Sequence, residues 1–312
     1  MMMDEGHALV IGSAGIDIKG RPWQELEWGT PNLGRVRNSV GGVARNIAEN
    51  LARLEVPTVL LTAVGKDSHG KRVLKACERV GINCEHVLQV PKSRTGTFMA
   101  LLKQDGQLHV AISDFEIIAH VTPEYLYEHE SLFEDAIVIV IDATLDDETL
   151  ETVFVLAEKY NVHVAADPTT PVLATKLIPF IPQLHLVVPN ASETAAMRGE
   201  GEKVYTREDA TQAARDFVAQ GAGIAVVTLG GEGLAYAHSG GGGFLRAINT
   251  KIIDSTGAGD AFSGAAIFGL LNDVPVDEAM RLGITAASLT LESRHTVLPG
   301  ISQELLYDKL VV

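Results

Sequence analysis

One seven-residue segment combines two acidic side chains with two glycines in a pattern suited to phosphoryl transfer. Residues 254–260 read Asp-Ser-Thr-Gly-Ala-Gly-Asp, and the small, apolar residues that follow are typical of a buried helix. Gly257 and Gly259 allow the N–H groups around Ala258 to converge at the positive end of the helix dipole, where a phosphate binds. Asp260 could accept the proton of an attacking hydroxyl. The alternative is that the two aspartates only cap a helix behind a glycine turn.

Composition restricts the class of protein. The chain has 312 residues, of which 46% are hydrophobic, so a large core is possible. Its net charge of −15 argues against a protein that binds duplex nucleic acid through a basic face, and we expect no nucleic-acid partner. Cys77 and Cys84 are too few for a disulfide framework and favour reduced thiols in the cytoplasm. No apolar run approaches the ~20 residues that cross a bilayer, so no membrane segment is expected.

Short apolar runs predict the strands of a buried sheet. The runs are mostly continuous rather than alternating, as in strands covered on both faces, and lie at Ala8–Gly12, Thr58–Val64, Ala136–Asp142, Val162–Asp167, Leu184–Val188 and Ile224–Leu229. Helical patterns separate them, at about 43–54, 68–81, 147–160, 206–220, 258–271 and 275–292. The alternation predicts a three-layer α/β/α fold with a mostly parallel central sheet, whose ligands bind at the carboxyl ends of the strands.

Two stretches interrupt this alternation. Residues 16–40 and 95–113 read as strands and turns without helices, and the second stretch is typical of a hairpin. A small sheet over the carboxyl edge of the core would form a lid that excludes water from phosphoryl transfer. The exposed face of such a sheet could instead form a dimer surface. The glycines at 240–243 are expected to join two further strands, 233–237 and 244–248.

A second glycine-rich cluster enters the first predicted helix. The segment Ser39-Val-Gly-Gly-Val-Ala-Arg-Asn46 places a glycine pair, Gly41 and Gly42, where a ligand could approach the backbone. Asn46 offers a donor and an acceptor to a hydroxyl. The alternative is a tight turn with a solvated asparagine. Further along this helix, Glu49 and Arg53 are spaced to form an outward-facing ion pair.

Polar residues follow several other strands. Asp17 could accept from two adjacent sugar hydroxyls, or it could be a turn residue. Asn190 and Glu193 could hold phosphate oxygens and the waters of a magnesium ion, or they could form a helix capping box. The segment Thr228-Leu-Gly230-Gly-Glu-Gly233 could bring its backbone close to phosphates or could only form a hairpin.

These motifs, in this order, resemble those of the ribokinase-like, PfkB-type carbohydrate kinases over nearly the whole chain. The resemblance implies one kinase domain over residues 1–312, with lid segments at about 16–40 and 95–115. It implies transfer of the ATP γ-phosphoryl group to a hydroxymethyl group, with Asp260 as the base and Gly257, Ala258 and Gly259 as the anion hole. The acidity of the chain is no obstacle, because backbone N–H groups and Mg²⁺ stabilise the charge that develops on the phosphoryl group.

The resemblance also implies roles for residues outside the anion hole. Residues implied for nucleotide and magnesium are Asn190, Glu193, Thr228, Gly230 and Gly233, with Ile284 and Ala287 as walls for adenine or as core residues. Residues implied for sugar hydroxyls are Asp17, Gly41, Gly42 and Asn46. Asp254 resembles a ligand of the monovalent cation, such as K⁺, found in several members of the family.

Within the family, three segments resemble the pseudouridine kinase branch: residues 16–21, residues 31–54 and the run Ala111-Ile-Ser-Asp-Phe-Glu-Ile. That resemblance implies phosphorylation of the 5′-hydroxymethyl group of a nucleoside. Side chains that could reach such an acceptor from the lid or a strand end are Thr97, Ser113, Asp114 and Asp142; the alternative for all four is ordinary lid and core structure.

A basic cluster favours a different acceptor. Its members, Lys19, Arg21, Arg35, Arg37 and Arg45, could bind a sugar phosphate, screen the ATP tail or form a dimer contact. The open alternatives are therefore a kinase for adenosine, inosine, ribose or fructose phosphate, or a nucleoside sensor without turnover. The presence of Asp260, both glycines and Glu193 argues against the sensor.

Overall fold

The computed structural model describes residues 6–104, 106 and 108–310. Within these residues the strands are β1 His7–Ile11, β2 Gly15–Pro22, β3 Gly34–Gly41, β4 Thr58–Leu61, β5 Ala63–Gly65, β6 Leu88–Val90, β7 Gly96–Leu102, β8 Leu108–Asp114, β9 Ala136–Asp142, β10 Val164–Asp167, β11 Leu184–Val187, β12 Ile224–Thr228, β13 Gly233–His238 and β14 Gly241–Arg246. The helices are α1 Val43–Arg53, α2 Ser68–Glu78, α3 Pro123–Glu128, α4 Ser131–Glu134, α5 Asp147–Tyr160, α6 Pro171–Ala174, α7 Ala191–Met197, α8 Arg207–Ala219, α9 Ala258–Leu271, α10 Val276–Leu291 and α11 Gln303–Asp308.

The main sheet has the order β14-β13-β12-β11-β10-β9-β1-β4. Strands β4, β1, β9, β10, β11 and β12 are parallel. Beyond β12 the sheet continues with β13 and β14, each antiparallel to the strand before it. Because the six parallel strands run the same way, the segments that follow them meet at one edge of the sheet, formed by the carboxyl ends of the strands. The functional motifs of the sequence are concentrated at that edge.

Helices cover both faces of this sheet. Along β1, Leu9 and Ile11 belong to one core with residues of α5 and α8, whereas Ala8 and Val10 belong to a second core with residues of α1, α9 and α10. The alternation places successive side chains of a strand on opposite faces. Burial on both faces explains why the strands read as continuous apolar runs, and it confirms the α/β/α prediction.

A second sheet, with the order β3-β2-β7-β8, is the lid sheet. β2 pairs antiparallel with β3 and parallel with β7, and β7 forms a hairpin with β8. Asp105 and Gln107 in the predicted turn of this hairpin lie outside the described residues. One face of the sheet carries exposed apolar side chains, at Val36, Met99, Val110 and Ile112, which we call the apolar lid face.

Two predicted elements differ from the structure. The run at 58–64 is two strands: β4 joins the main sheet, whereas β5 pairs with β6 in a separate two-stranded sheet. Both pieces are buried, so the apolar run contains no sign of the break at Thr62. The glycines 241–243 are part of β14 rather than a linker. Gly243 lies against the ring of Tyr236 on the neighbouring strand, a close approach that a side chain would prevent.

Candidate active site

The anion loop, residues 254–259, precedes α9 directly. Gly257 is the N-cap residue and has φ 86°, a left-handed conformation that favours glycine, and any side chain there would collide with the carbonyl oxygen of Thr296. The first N–H groups of α9 have no partner within the helix. A Cβ at Gly259 would meet no atom within 4 Å. The loop thus offers N–H donors beside open space, which suits a phosphate group.

Asp260 lies in the first turn of α9 and is 8% exposed. The side-chain amide of Asn46 donates from Nδ2 to Asp260 Oδ2 over 2.7 Å. This bond joins α1 to α9 across 214 residues of sequence. It engages one carboxylate oxygen and leaves Oδ1 for an attacking hydroxyl.

Asp17 and the glycine pair lie together where β2 meets β3. The Asp17 carboxylate lies against Gly41, so closely that a Cβ at Gly41 would overlap it. Gly42 is the N-cap of α1 with φ 97° and packs against the backbone of Ser13 and Ala14. Asp17 is 4% exposed, and among the described residues none donates a hydrogen bond to it. A buried carboxylate without protein donors is suited to accept from the hydroxyls of a ligand.

Asp142 is fully buried and saturated by protein donors. Its Oδ2 accepts from the backbone N–H of Ser13 over 2.8 Å, from the Ser13 hydroxyl over 2.5 Å and from the N–H of Ala44 over 3.1 Å. Its Oδ1 accepts from the N–H of Thr144 over 3.1 Å and from the Thr144 hydroxyl. These contacts fix the turn after β1 to the start of α1. The geometry therefore favours a supporting role over the predicted contact with an acceptor.

The lid residues predicted to reach an acceptor divide between the two faces of the sheet. In the strand register, Asp17 is paired with Phe98, and Phe98 with Ser113, so Ser113 shares the face of Asp17. Thr97 is paired with Asp114 on the opposite face. The alternation therefore brings Ser113 to the acceptor side and turns Thr97 and Asp114 away from it.

The nucleotide candidates surround the ends of β11 and β12. Asn190 and Glu193 form a capping box at α7: Asn190 Oδ1 accepts from the Glu193 N–H over 3.0 Å, and Glu193 Oε2 accepts from the Asn190 N–H over 2.8 Å. Asn190 and Thr228 pair as a single parallel bridge. At Gly230 a Cβ would meet nothing within 4 Å, so the backbone there is open to a ligand. Gly233 begins β13, and Ile284 and Ala287 lie half-buried on α10.

The basic cluster divides in the structure. Lys19, Arg21, Arg35 and Arg37 line a cleft of about 990 Å³ together with Arg294 and His295, which we call the basic cleft. Arg35 and Arg37 have no partner among the described residues. Arg45 lies elsewhere: it is 3% exposed and forms an ion pair with Glu49 on α1. Glu49 is buried between Arg45 and Arg53. The predicted ion pair between Glu49 and Arg53 is present, but the prediction that it faces outward is wrong.

Comparison with known proteins places this arrangement in a family. The model of the pfkB family carbohydrate kinases matches residues 6–303. The chain belongs to the pfkB family. It is 33% identical over 302 residues to the pseudouridine kinase of Escherichia coli (strain K12). The matched region covers 96% of this chain and 95% of that protein. The family predicted from the sequence is thereby confirmed.

Two solved structures have the same fold as this pfkB-family chain. Arabidopsis thaliana ribokinase complexed with ribose and ATP has a TM-score of 0.85 at 23% identity, covering 99% of this chain and 100% of that one. An Escherichia coli protein solved in complex with ATP and Mg²⁺ has a TM-score of 0.82 at 16% identity, covering 97% of this chain and 98% of that one. They confirm the ribokinase-like fold.

Buried carboxylates dominate the electrostatics of this pfkB-family site. Burial raises the pKa of Asp260 to about 7; the Asn46 hydrogen bond and Arg45 oppose this effect, and Asp17 and Asp142 add to it. Burial also raises the pKa of Asp17 to about 6, against the attraction of Lys19 and Arg45. A carboxylate whose pKa lies near neutrality is suited to accept and release a proton.

Asp254 has the opposite balance. Burial acts to raise its pKa, but the N–H of Thr256 and the ammonium group of Lys19 outweigh burial and lower it. Lys19 Nζ lies 2.9 Å from Asp254 Oδ2, and the Thr256 N–H donates to Oδ1 over 3.0 Å. Both oxygens of the carboxylate implied to bind a monovalent cation therefore have protein partners. The donor set at Asp254 does not favour K⁺.

The oxygen ligands near Glu193 fit a magnesium ion held through water. Burial raises the pKa of Glu193 to about 7 and that of neighbouring Asp167 well above its usual range, so a cation would relieve repulsion between them. Among the described residues no three His, Cys, Asp or Glu side chains converge closely enough to bind an ion directly. Mg²⁺ commonly keeps several waters and binds through one or two carboxylates and substrate phosphates.

Some functional candidates of this pfkB-family kinase carry no signal in the sequence. Ser13 donates from its hydroxyl to Asp142 and accepts from the N–H of Val43 over 3.0 Å, which joins β1, β9 and α1. Arg294 and His295 line the basic cleft from a loop after α10. Neither segment matches a motif, and only the folded chain brings them to the site.

Proposed function

We propose that this kinase transfers the γ-phosphoryl group of ATP to the 5′-hydroxymethyl group of a nucleoside, with pseudouridine as the leading acceptor. The observation that carries the proposal is the presence of two buried carboxylates, Asp260 and Asp17, close to the anion loop. Asp260 has one oxygen held by Asn46 and the other open, and Asp17 has no protein donor among the described residues. The identity of 33% to a pseudouridine kinase supports the choice of acceptor.

In the proposed reaction Asp17 and the backbone at Gly41 and Gly42 hold the sugar hydroxyls. Asp260 Oδ1 takes the proton of the 5′-hydroxyl as its oxygen bonds to the γ-phosphorus. The bond from that phosphorus to the β–γ bridging oxygen breaks, which yields ADP and the nucleoside 5′-phosphate. The N–H groups of residues 257–259 stabilise the charge on the transferred group.

ATP would extend from the anion loop toward the ends of β11 and β12. Asn190, Thr228, Gly230 and Gly233 would adjoin its phosphates and ribose, and Ile284 and Ala287 would adjoin its adenine. Mg²⁺, held by Glu193 through water, would neutralise phosphate charge when bound. We propose no K⁺ requirement, because Lys19 already neutralises Asp254.

The lid sheet would close over the acceptor, with Ser113 the lid residue placed to reach the nucleobase. The apolar lid face would pair two copies of the chain into a homodimer, and Ile112→Lys would then yield monomers in light scattering after gel filtration. No helix of the described residues is long and apolar enough to span a membrane. We keep the cytoplasmic location as a prediction.

The basic cleft favours a second candidate, an acceptor that carries a phosphate group. Lys19, Arg21, Arg35 and Arg37 lie on the same face of the lid sheet as Asp17, because they alternate along β2 and β3 in register with it. An acceptor held by Asp17 would extend along these cations. Their positive charge would attract a phosphate more strongly than a neutral nucleobase.

The test is ADP release with Mg²⁺ and ATP against pseudouridine, uridine, adenosine, inosine, ribose and fructose 6-phosphate, with the product mass measured. Preference for pseudouridine supports the proposal. Preference for fructose 6-phosphate supports the phosphorylated acceptor, and Arg35→Gln/Arg37→Gln should then raise its KM. ATP binding without ADP release from any acceptor would instead support a sensor.

A variant tests the assignment of the base. Asp260→Asn should keep ATP binding, measured by calorimetry, and lower kcat by about 10²- to 10⁴-fold, the usual contribution of a general base. Near-normal turnover would remove Asp260 from the mechanism. Asp17→Asn should mainly raise the KM of the acceptor, and an unchanged KM would refute its role in sugar binding.

A further inference from the structure

Helix α1 carries a chain of side-chain contacts that ends at Asp260. Arg45 Nη1 donates to Asn46 Oδ1 over 2.6 Å, and Asn46 Nδ2 donates to Asp260 Oδ2 over 2.7 Å. All three residues are buried. The amide of Asn46 is therefore held between a guanidinium group on one side and the proposed base on the other.

The chemistry of these groups fixes the orientation of the amide. A guanidinium group has only donors, so it accepts no hydrogen bond and can face only the oxygen of the Asn46 amide. The NH₂ group of Asn46 must then face Asp260. In the flipped orientation the amide oxygen would lie against the Asp260 carboxylate and its NH₂ group against Arg45, two repulsive contacts in a water-poor site.

Arg45 is itself held in place. Its Nη2 forms an ion pair with Glu49 Oε2, and its Nη1 lies 3.4 Å from the carbonyl oxygen of Val40. The other oxygen of Glu49 accepts from Arg53, with Nη2 at 2.7 Å. Arg53 extends to the surface and contacts the carbonyl oxygen of Pro299. Arg45 and Arg53 thus share Glu49, but only Arg45 contacts Asn46.

We propose that Arg45 is a positioning residue that acts through Asn46 to fix the orientation of Asp260. The inference rests on the proposed role of Asp260 as the base. By holding Oδ2, the chain Arg45–Asn46 directs Oδ1 toward the 5′-hydroxyl of the acceptor. Correct placement of a base is worth a large factor in rate, because proton transfer requires hydrogen-bond distance.

The first experiment compares Arg45→Met with Arg53→Met, a matched control on the same helix and the same glutamate. Arg45→Met should lower kcat by about 10- to 100-fold, the equivalent of one hydrogen bond to a charged group, with the KM of ATP unchanged. Arg53→Met should change kcat less than threefold. Equal losses of kcat in the two variants would show that Arg45 acts only by compensating the charge of Glu49, and would overturn the proposal.

A double-mutant cycle tests the route through Asn46. If Arg45 acts through the amide, Arg45→Met should cost little further kcat once Asn46→Ala is present. Additive losses would overturn the proposal. Arg45→Lys keeps a charged donor and should therefore have a higher kcat than Arg45→Met. If Arg45 only stabilised the fold, the two variants would have the same kcat once both are folded, and that result would overturn the proposal.

Arg45→Met leaves Glu49 partly uncompensated in a buried position and could reduce folding. Arg45→Met/Glu49→Gln removes that imbalance, and thermal unfolding identifies which variants remain folded at the assay temperature. The double variant should still show the loss of kcat; normal kcat in a folded double variant would overturn the proposal. Absence of kinase activity in the wild-type protein would instead refute the proposed function itself.

Discussion

The proposed base imposes a cost on folding that a single substitution should remove. Burial raises the pKa of Asp260 from its ordinary value of 3.8 to about 7 in the folded chain. Between about pH 4 and pH 7 the folded chain therefore binds more protons at this position than the unfolded chain. The free energy of unfolding then falls as pH rises through this window, and the full cost is present above it.

The magnitude follows from the two pKa values. A difference of about 3 pH units corresponds to about 4 kcal/mol at 1.36 kcal/mol per unit, an upper limit because neighbouring carboxylates share it. Asp260→Asn removes the buried charge, and its amide oxygen can still accept from Asn46. At pH 8 the variant should be more stable by up to about 4 kcal/mol, or about 6 °C in Tm for a chain of this length.

The assay is thermal unfolding of the wild type, Asp260→Asn and Glu151→Gln at pH 8 and pH 4.5. Glu151→Gln removes an exposed carboxylate and should leave Tm within about 1 °C. At pH 4.5 the gap between Asp260→Asn and wild type should narrow to about 1 kcal/mol, because Asp260 is already protonated in the folded chain. A variant that is less stable at pH 8, or a gap independent of pH, would refute the argument.

Three further predictions follow from the same site. The rate at subsaturating acceptor should fall as pH drops below about 7, because protonated Asp260 cannot act as a base; a pH-independent rate between 5 and 8 would contradict this. Gly42→Ala should lower the free energy of unfolding by about 2 kcal/mol or more in urea titrations, because φ is 97° there, whereas Gly231→Ala, in open space, should change it by less than about 0.5 kcal/mol. Lys19→Met should raise the acceptor KM about tenfold and leave the KM of ATP nearly unchanged, because it removes the contact between the lid and Asp254.

Local pattern was sufficient to predict the elements of the core. The strands β1, β9, β10, β11 and β12 and the helices α1, α5, α8, α9 and α10 lie within a few residues of the apolar runs and helical stripes. Each has one dominant periodicity, which a short window of sequence contains. The short helices α3, α4, α6 and α11 were not predicted, because four to six residues do not form a recognisable stripe.

Contacts between distant segments could not be predicted in the same way. Asn46 meets Asp260, Lys19 meets Asp254 and Ser13 meets Asp142 only because the sheet brings their segments to one edge. The motifs indicated which residue types belong to the site. They gave no indication that Arg45 lies apart from the other basic residues and contacts Asn46. The direction of a side chain on α1 depends on the helix and on how the helix packs, and neither can be read from neighbouring residues in the sequence.

The two aspartates at strand positions, Asp17 and Asp142, show what separates a binding residue from a supporting one. Both are buried and close to Asp260. The family resemblance implies sugar binding for Asp17, whereas Asp142 is predicted only as a weaker candidate for contact with another acceptor hydroxyl. Asp142 receives five hydrogen bonds from the protein, whereas no described residue donates to Asp17. A buried carboxylate without donors is costly unless a ligand supplies them. The free hydrogen-bonding capacity, rather than burial or position along a strand, therefore favours Asp17 as the residue that binds the sugar.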